Sequence, residues 1–530
     1  MATESASLHA AGVTGREIEL KLHAEPQYLH RLAEHPALVA IAIGPAVVRR
    51  QTTTYYDTPD LRLAARGVAL RVRVEDDGRI TQAVKTLNCM AAGDSAAVAI
   101  RREWEWPLSE DEPNLALLGR DGVDQLVPPD LLSLLKPLFA TEIRRTILTV
   151  RPDALTTVEA AFDIGVVRAG DRQLPISEIE LELKSGRVGH LFDLALDLQG
   201  IVPLRIAGES KAEAGYRLVT GKPPAPFQSE PTSLSPATTA AEAFRHLVRH
   251  CLRQLLHNED CALLALAERP GGGDLTSVRN MRHALRRLRH AVMLFKPVIA
   301  AGAATRAAGF ADQCRDLGRR LAPASNWSIV GTVLRLAGLD LAAAAPVPGA
   351  GCEAAREAAE VARVAILAPE FTALVLSCGG WLEQDRWCEE VEEEQRRLLE
   401  QPVAEVVSPW LEDLYKKVRK AGFEKGDEDE LKRLRRRLRR LFDAADGFRG
   451  LFPPSLSRPF LAGLAELRGA LDEVDDLRQT RDLLRAPGIR ADATRSALLE
   501  RRIAEGTARF PEAWKRFRAL EPFWKRSRPQ

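Results

Sequence analysis

The stretch Glu17-Ile18-Glu19-Leu20-Lys21-Leu22 places a charge at every second position and an apolar residue between. Successive side chains of a strand point to opposite faces, so Glu17, Glu19 and Lys21 share one face and Ile18, Leu20 and Leu22 the other. The alternation returns in LRVRV (70–74) with Arg71 and Arg73, in REWEW (102–106) with Glu103 and Glu105, and in ISEIELEL (176–183) with Glu178, Glu180 and Glu182. Asp163 lies in line with Glu159. One reading is an antiparallel sheet with a solvated face. A solvated face mixes signs, however, because like charges side by side repel. Here single strands carry one dominant sign, acidic in some and basic in others. That segregation points to a lined interior. Carboxylates there would hold hard divalent cations through oxygen, and arginines and lysines would hold the phosphoryl oxygens of a polyanion. A closed β-barrel with a polar lumen encloses such a face.

Around these strands the chain divides in two. Further period-two segments run at 52–57, 101–108, 144–150 and 155–167, followed by an amphipathic helix over 186–199. From 240 onward, apolar residues recur near i, i+3, i+4, i+7, predicting helices over 240–267, 274–296, 355–364, 404–420, 427–442, 461–472 and 493–510. Between the halves, GKPPAPFQSEPTSLSP (221–236) has five prolines and no periodicity, the composition of an extended linker. Residues 1–220 hold 25 Lys/Arg against 31 Asp/Glu, a charge of −6; the remainder holds 50 against 42, or +8. An acidic half and a basic half suggest two tasks. With 45% hydrophobic and 28% charged residues, the composition excludes wholesale disorder and collagen-like repeats. No apolar run reaches the ~18 residues of a membrane helix, and no signal peptide is read at the start. Seven scattered cysteines without a C-x-x-C pair predict reduced thiols and a cytoplasmic protein.

The basic half concentrates its charge on two helices. In VRNMRHALRRLRHAVMLF (278–295), Arg279, Arg282, Arg286 and Arg289 form one stripe, and Met281, Leu285, Leu288 and Val292 another. In ELKRLRRRLRRLF (430–442), Lys432, Arg435, Arg436, Arg439 and Arg440 lie opposite Leu431, Leu434, Leu438 and Leu441. The two look like an internal duplication. A face this basic, with almost no acid on its own helix, repels itself and calls for an anion. Nucleic acid is the generic candidate and inorganic polyphosphate the specific one. His246 and His250, at i, i+4, give a weak metal signal.

Six ordered blocks carry a family resemblance: EIELKL, YYDTPDLRLAARGVALRVR (55–73), QAVK (82–85), RREWE (101–105), ISEIELELKSG (176–186) and ESKAEAGYRL (209–218). Together they resemble the CYTH superfamily of triphosphate tunnel metalloenzymes. The later half, with its R-x-x-R-R-x-R helices, resembles the CHAD domain, although Asn326 stands where an aspartate is typical. The resemblance implies an α+β multidomain chain. A tail over 1–14 precedes an antiparallel β-barrel tunnel over 15–220, and the 221–236 linker leads to an all-α, two-repeat helical bundle over 237–525. It implies that Glu17, Glu19, Asp163, Glu180 and Glu182 hold Mg²⁺ or Mn²⁺, and that Lys21, Arg71, Arg73, Lys85, Arg145 and Lys211 contact triphosphate, with Arg144 turned outward. The implied activity is inorganic triphosphatase, tripolyphosphate giving pyrophosphate and phosphate. The helical half would bind inorganic polyphosphate, on granules. The alternative is a non-catalytic granule protein whose tunnel captures triphosphate ends. Membrane and nucleic acid are not the expected partners.

Overall fold

Leu20, Leu22, Leu70, Val72 and Val84, the apolar partners of the charged positions, are all buried, and they are buried on the outside of a barrel. A computed structural model describes residues 13–87, 97–119, 122–228, 234–268, 274–336, 350–421, 428–485 and 493–525. The chain forms two compact units: residues 1–224 with 368–384, and 225–367 with 385–530. In the first, β1 (Val13–His23), β2 (Val47–Asp57), β3 (Val68–Glu75), β4 (Ile80–Thr86), β5 (Val98–Leu108), β6 (Lys136–Val150), β7 (Thr157–Ala169) and β8 (Arg172–Ser185) pair in the order β5-β4-β3-β2-β6-β7-β8-β1. β1 also pairs β5, so the sheet closes, and every ladder is antiparallel. A two-residue β9 (Arg205–Ile206) adds to β1.

The barrel is packed inside out, with charge in the lumen and the hydrophobic set facing covering segments. Leu70, Val84, Trp104 and Trp106 pack under short 3₁₀ turns at Leu115–Gly119, Val123–Gln125 and Pro129–Leu134, through Leu118, Val123 and Leu131. Tyr55, Phe139 and Ile143 meet Tyr216 of the helix Lys211–Thr220, which is capped by Ser210 and Glu213. The DTPD turn after β2 shows how a motif can be structural. Asp57 has no exposed surface, and its carboxylate accepts from the backbone N–H of Thr58, Leu63 and Ala64 at 2.6, 2.8 and 2.9 Å. Removing it strands two buried donors and a half-buried third. Asp57→Ala is therefore expected to cost about 3–5 kcal/mol in urea unfolding of the first unit; a loss under 1 kcal/mol would contradict the anchoring role.

One element of this unit comes from far along the chain. The helix Pro369–Glu383 packs on the helix Gly189–Gln199, with the Phe192 ring against Gly379, where an added Cβ would lie 2.4 Å from the ring. Gln384 donates to the Gly189 carbonyl at 2.8 Å, and the Thr372 hydroxyl donates to Leu204 O at 2.8 Å. Among the described residues no single helix is long and apolar enough to cross a membrane, and the apolar side chains of Pro369–Glu383 are buried in the unit.

The second unit is helical. Thr276–Leu294 and Glu428–Gly447 pack on one another, with Leu285, Leu288, Leu434 and Leu438 at 0–1% exposure. Pro454–Leu484 is one 31-residue helix, longer than the periodicity at 461–472 predicted. The proline-rich segment has no regular structure over 222–228, and residues 229–233 of it lie outside the described residues. It is nevertheless anchored: Asn258 donates to the Phe227 carbonyl and accepts from its N–H, and Asn280 donates to the same carbonyl at 2.9 Å. Cys251, Cys261, Cys314, Cys378 and Cys388 are free thiols; Cys89 and the Cys352 side chain lie outside the described residues.

Candidate active site

The strand alternation aims the charged faces into a cavity of about 710 Å³ inside the barrel. Among the described residues nine basic and eight acidic side chains line it, including Glu17, Glu19, Arg71, Arg73, Lys85, Arg145, Glu180, Glu182 and Lys211. Arg144, the neighbour of Arg145, is exposed on the outer face. The signs are segregated along strands but matched across them. Lys85 Nζ lies 2.8 Å from Glu17 and 3.1 Å from Glu103, and Arg71 lies 3.1 Å from Glu103. Burial alone would raise the Glu17 carboxyl, but Lys85 holds it below the usual carboxylate range.

Two carboxylate groups stand on the wall made by β7, β8 and β1. In the first, Asp163, Glu178 and Glu180 offer ligand atoms within 4.8 Å of one another. Lys211 Nζ sits among all three, at 2.8 Å from Asp163 and 2.7 Å from Glu180, and in contact with Glu178. Lys21 lies 3.0 Å from Glu180, and Arg145 bonds both Asp163 and Glu180. Burial opposes charge here, yet Lys211, Lys21 and Arg145 hold Glu180 well below the carboxylate range. The second group comes from register: Glu159 stands opposite Glu182, and Glu182 opposite Glu19. Like charges directly opposite destabilise a ladder. Burial, reinforced by Glu17 and Glu159, pushes Glu182 above the usual range. Crowded carboxylates with hard oxygen donors suit a divalent cation, so the residues present fit the implied metal. Of the expected ligands, Glu19 and Glu182 belong to this second group, Glu17 is held by Lys85, and Asp163 and Glu180 belong to the first group, around Lys211, whose ligand atoms are the ones that converge among the described residues.

Arg73 is the exception to the pairing. Among the described residues it has no ion-pair partner, and its buried Nε has no hydrogen-bond partner. Burial, together with Arg71 and Arg145, pushes its guanidinium down to about 10. Of the described basic lining residues, the sequence reading names Arg71, Arg73, Lys85, Arg145 and Lys211 and misses Arg49, Arg79, Arg101 and Lys184; Arg101 is the most buried of the four missed. That residue lines the cavity at 8% exposure and bonds Glu19. Its signal was present, since it lies two positions before Glu103 on the inward face.

In the helical unit the two basic helices do face one another. Arg282 is pushed down to about 10 by burial and by Arg439, Arg286 and Arg435. The expected self-repulsion is relieved from elsewhere in the chain, which corrects the view of a face without acids. Arg286 bonds Asp443 at 3.0 Å, and Arg435 and Arg439 both bond Asp472, at 2.6 and 2.8 Å. Arg279 is tied to Ser328 and Asp274, and Arg289 is half-buried. Lys432 pairs with Glu428 on the solvent side, and Arg436 is exposed; Arg440 is half-buried. The shared centre is thus Arg282, Arg286, Arg435 and Arg439. Burial, with Arg287 and Arg253 beside it, pushes His250 down to about 4. His246 and His250 join no metal-competent cluster among the described residues.

Burial, with Asp472 and Asp475 nearby, pushes Asp476 up to about 6 despite Arg435. A raised carboxyl favours folding while protonated, and that advantage is lost as pH rises from about 4 to 6. Asp476→Asn should therefore stabilise the chain by about 1–2 kcal/mol at pH 7.5, after allowance for solvent screening, and by nothing below pH 4. Thermal melts at both pH values check this; an equal gain at both would refute the titration account.

Residues 15–216 match the CYTH domain family and residues 246–485 the CHAD domain family. An inorganic triphosphatase of Haemophilus influenzae is 37% identical over 205 residues, which make up 38% of this chain and 55% of that protein. The chain thus spans about half the length of that relative. Among solved structures, the CHAD domain of the plant Ricinus communis aligns at TM-score 0.46 and 24% identity, covering 56% of this chain and 98% of that one. A Hippeastrum protein described by its dominant triphosphatase activity aligns at TM-score 0.29 and 20% identity, covering 39% and 96%.

Proposed function

Because the chain carries a CYTH domain followed by a CHAD domain, we propose that its barrel is a metal-dependent inorganic triphosphatase and that its helical unit holds inorganic polyphosphate. The observation that carries the enzymatic reading is Arg73, whose guanidinium lines a closed barrel and, among the described residues, has no ion-pair partner, Glu105 acting on it only from a distance. Leaving such a charge unpaired is costly, so an anion belongs there. A triphosphate carries roughly four negative charges near neutral pH. Nine basic against eight acidic lining residues cannot balance that alone. When bound, Mg²⁺ or Mn²⁺ would supply the missing positive charge and polarise phosphoryl oxygens.

The chain's own residues supply position and field. Arg71, Arg73 and Arg145 present forks to the phosphoryl oxygens, with Lys85 on β4, the strand beside β3. Lys21 and Lys211 hold the carboxylates of the far wall in place. Tyr55 is the only aromatic among the described lining residues, and its face is stacked on Phe139 at 4.6 Å. A nucleobase would find no platform, which favours an inorganic substrate over a nucleotide. The cytoplasm, on polyphosphate granules, is the location we propose, on the strength of the scattered cysteines.

Incubation of the full chain with tripolyphosphate and Mg²⁺ or Mn²⁺ should release phosphate, and EDTA should stop it. Tight binding of tripolyphosphate with no release under either metal would instead identify a capture protein.

A further inference from the structure

The shared centre of the two basic helices holds carboxylates of two kinds. Asp443, at 5% exposure, ties the helices together: it bonds Arg286 at 3.0 Å and His290 at 2.8 Å. Asp472 and Asp475 are placed differently. They stand about one turn apart on the helix Pro454–Leu484, which packs on Glu428–Gly447, and Asp472 is 29% exposed. Its Oδ1 alone accepts from Nε of Arg435 at 2.6 Å and from Nη2 of Arg439 at 2.8 Å, while Arg468 lies 3.9 Å from Oδ2. Asp475 bonds the same Arg435 and accepts from Gln479. Burial alone would raise the Asp472 carboxyl, but Arg439 and Arg435 hold it below the usual carboxylate range, so it is charged at neutral pH. A surface built only to attract phosphate has no use for a charged, accessible carboxylate on its central arginines.

We propose that Asp472, backed by Asp475, is a specificity-determining counter-charge: by occupying Arg435 and Arg439 it lets the helical unit hold long polyphosphate and pass over tripolyphosphate, the substrate of the barrel. This rests on the polyphosphate reading of the helical unit. The argument is one of threshold. A phosphate that reaches the centre competes with Oδ1 for guanidinium N–H groups, and it meets the carboxylate's charge at short range in a medium poorer than water. That cost is the same for every phosphate that binds there. A long chain offsets it through contacts further along the two helices, and a chain of three phosphates has no such reserve. Rejection by a repulsive element, in place of added attraction, is a general route to specificity. Without Asp472 the centre would bind both kinds of chain more tightly and would compete with the barrel for its substrate.

The test uses the full chain in EDTA at pH 7.5, above the titration of Asp476. The probes are long-chain polyphosphate and the non-hydrolysable imidotriphosphate, read by calorimetry. In Asp472→Asn, long-chain polyphosphate should bind about 5–30-fold tighter. The slope of log affinity against log salt should steepen by about 0.7–0.9, one further counterion released. Imidotriphosphate should titrate a single class of site in wild type, the barrel, and gain a second, weaker class in the variant. Phosphate release from tripolyphosphate with Mg²⁺ or Mn²⁺ should not change. The sign is the signature. Asparagine keeps the shape and still accepts from Arg435 and Arg439, so a residue that merely positions those arginines would leave polyphosphate binding unchanged or weaken it. Either of those results overturns the proposal and leaves the polyphosphate reading intact, because wild type still binds. A gain for long chains without the second imidotriphosphate class refutes the specificity role. Wild-type protein that takes up no long-chain polyphosphate at low salt overturns both readings. Asp475→Asn leaves both bonds to Asp472 in place and does not depend on Asp472→Asn folding. It should bind long-chain polyphosphate about 2–10-fold tighter, and an unchanged or weaker affinity there also refutes the proposal.

Discussion

Replacing Glu17 and Glu19 together by glutamine stops phosphate release from tripolyphosphate, with a fall of at least about 10³-fold, while the barrel stays folded. The size follows from several kcal/mol of charge stabilisation that a bound cation contributes, at 1.36 kcal/mol per tenfold. The survival of the fold follows from where β1 keeps its apolar side chains. Leu20 and Leu22 are fully buried outside the barrel, and the two glutamates face the lumen. Glutamine keeps the shape and still accepts a hydrogen bond from Lys85 or Arg101. Phosphate release and circular dichroism of the double variant decide the matter. Turnover near the wild-type rate with metal bound would remove the tunnel assignment.

Arg282→Gln with Arg439→Gln lowers the affinity of the full chain for long-chain polyphosphate by about 10²-fold or more. Each removes one charge-assisted phosphate contact, worth about 1.5–3 kcal/mol. Arg282 is the better of the two, because burial and three neighbouring arginines leave it in need of an anion, and its hydrogen bond among the described residues is a long one, to Asn326 at 3.5 Å. Charge reversal, which the basic stripes alone would suggest, is the wrong variant. A glutamate at 286 or 435 would stand against Asp443, Asp472 or Asp475 and destabilise the unit for unrelated reasons. Wild-type binding should weaken steeply with salt, as counterion release requires. Salt-insensitive binding, or a preference for duplex DNA at equal charge, would return the helical unit to the nucleic-acid reading.

Much of the barrel was legible because its strands obey a period of two. Once Glu17, Glu19, Arg71, Arg73 and Glu180 share inward faces, closure is the arrangement that makes sense of charge on one side and Leu, Val and Trp on the other. Pairing across strands was not legible, because register is set by partners distant in sequence. Glu19 opposite Glu182, or Lys211 among Asp163, Glu178 and Glu180, emerges only when the sheet is assembled. The same limit explains the helical unit. The helix at 430–442 shows its arginines but not Asp472, which lies some thirty residues later and answers two of them. Arg101 was within reach of the alternation, since it lies two positions before Glu103 on the inward face. The described part of the linker, 222–228, has no regular structure, but composition could not reveal that Asn258 and Asn280 grip Phe227.

The helix Pro369–Glu383 has a consequence for how the protein is made. It supplies the surface that covers Phe192, so the first unit lacks a wall until residue 384 has been synthesised. At 5–20 residues per second, the stretch from 220 to 384 takes roughly 10–30 s to emerge. During that interval a nascent barrel presents an uncovered apolar helix face to the cell. The two units cannot then mature strictly one after the other from the ribosome. A stretch of the later-made half must be delivered back to the earlier one before either is whole, and a chain interrupted between them leaves an unfinished product and not a smaller working enzyme.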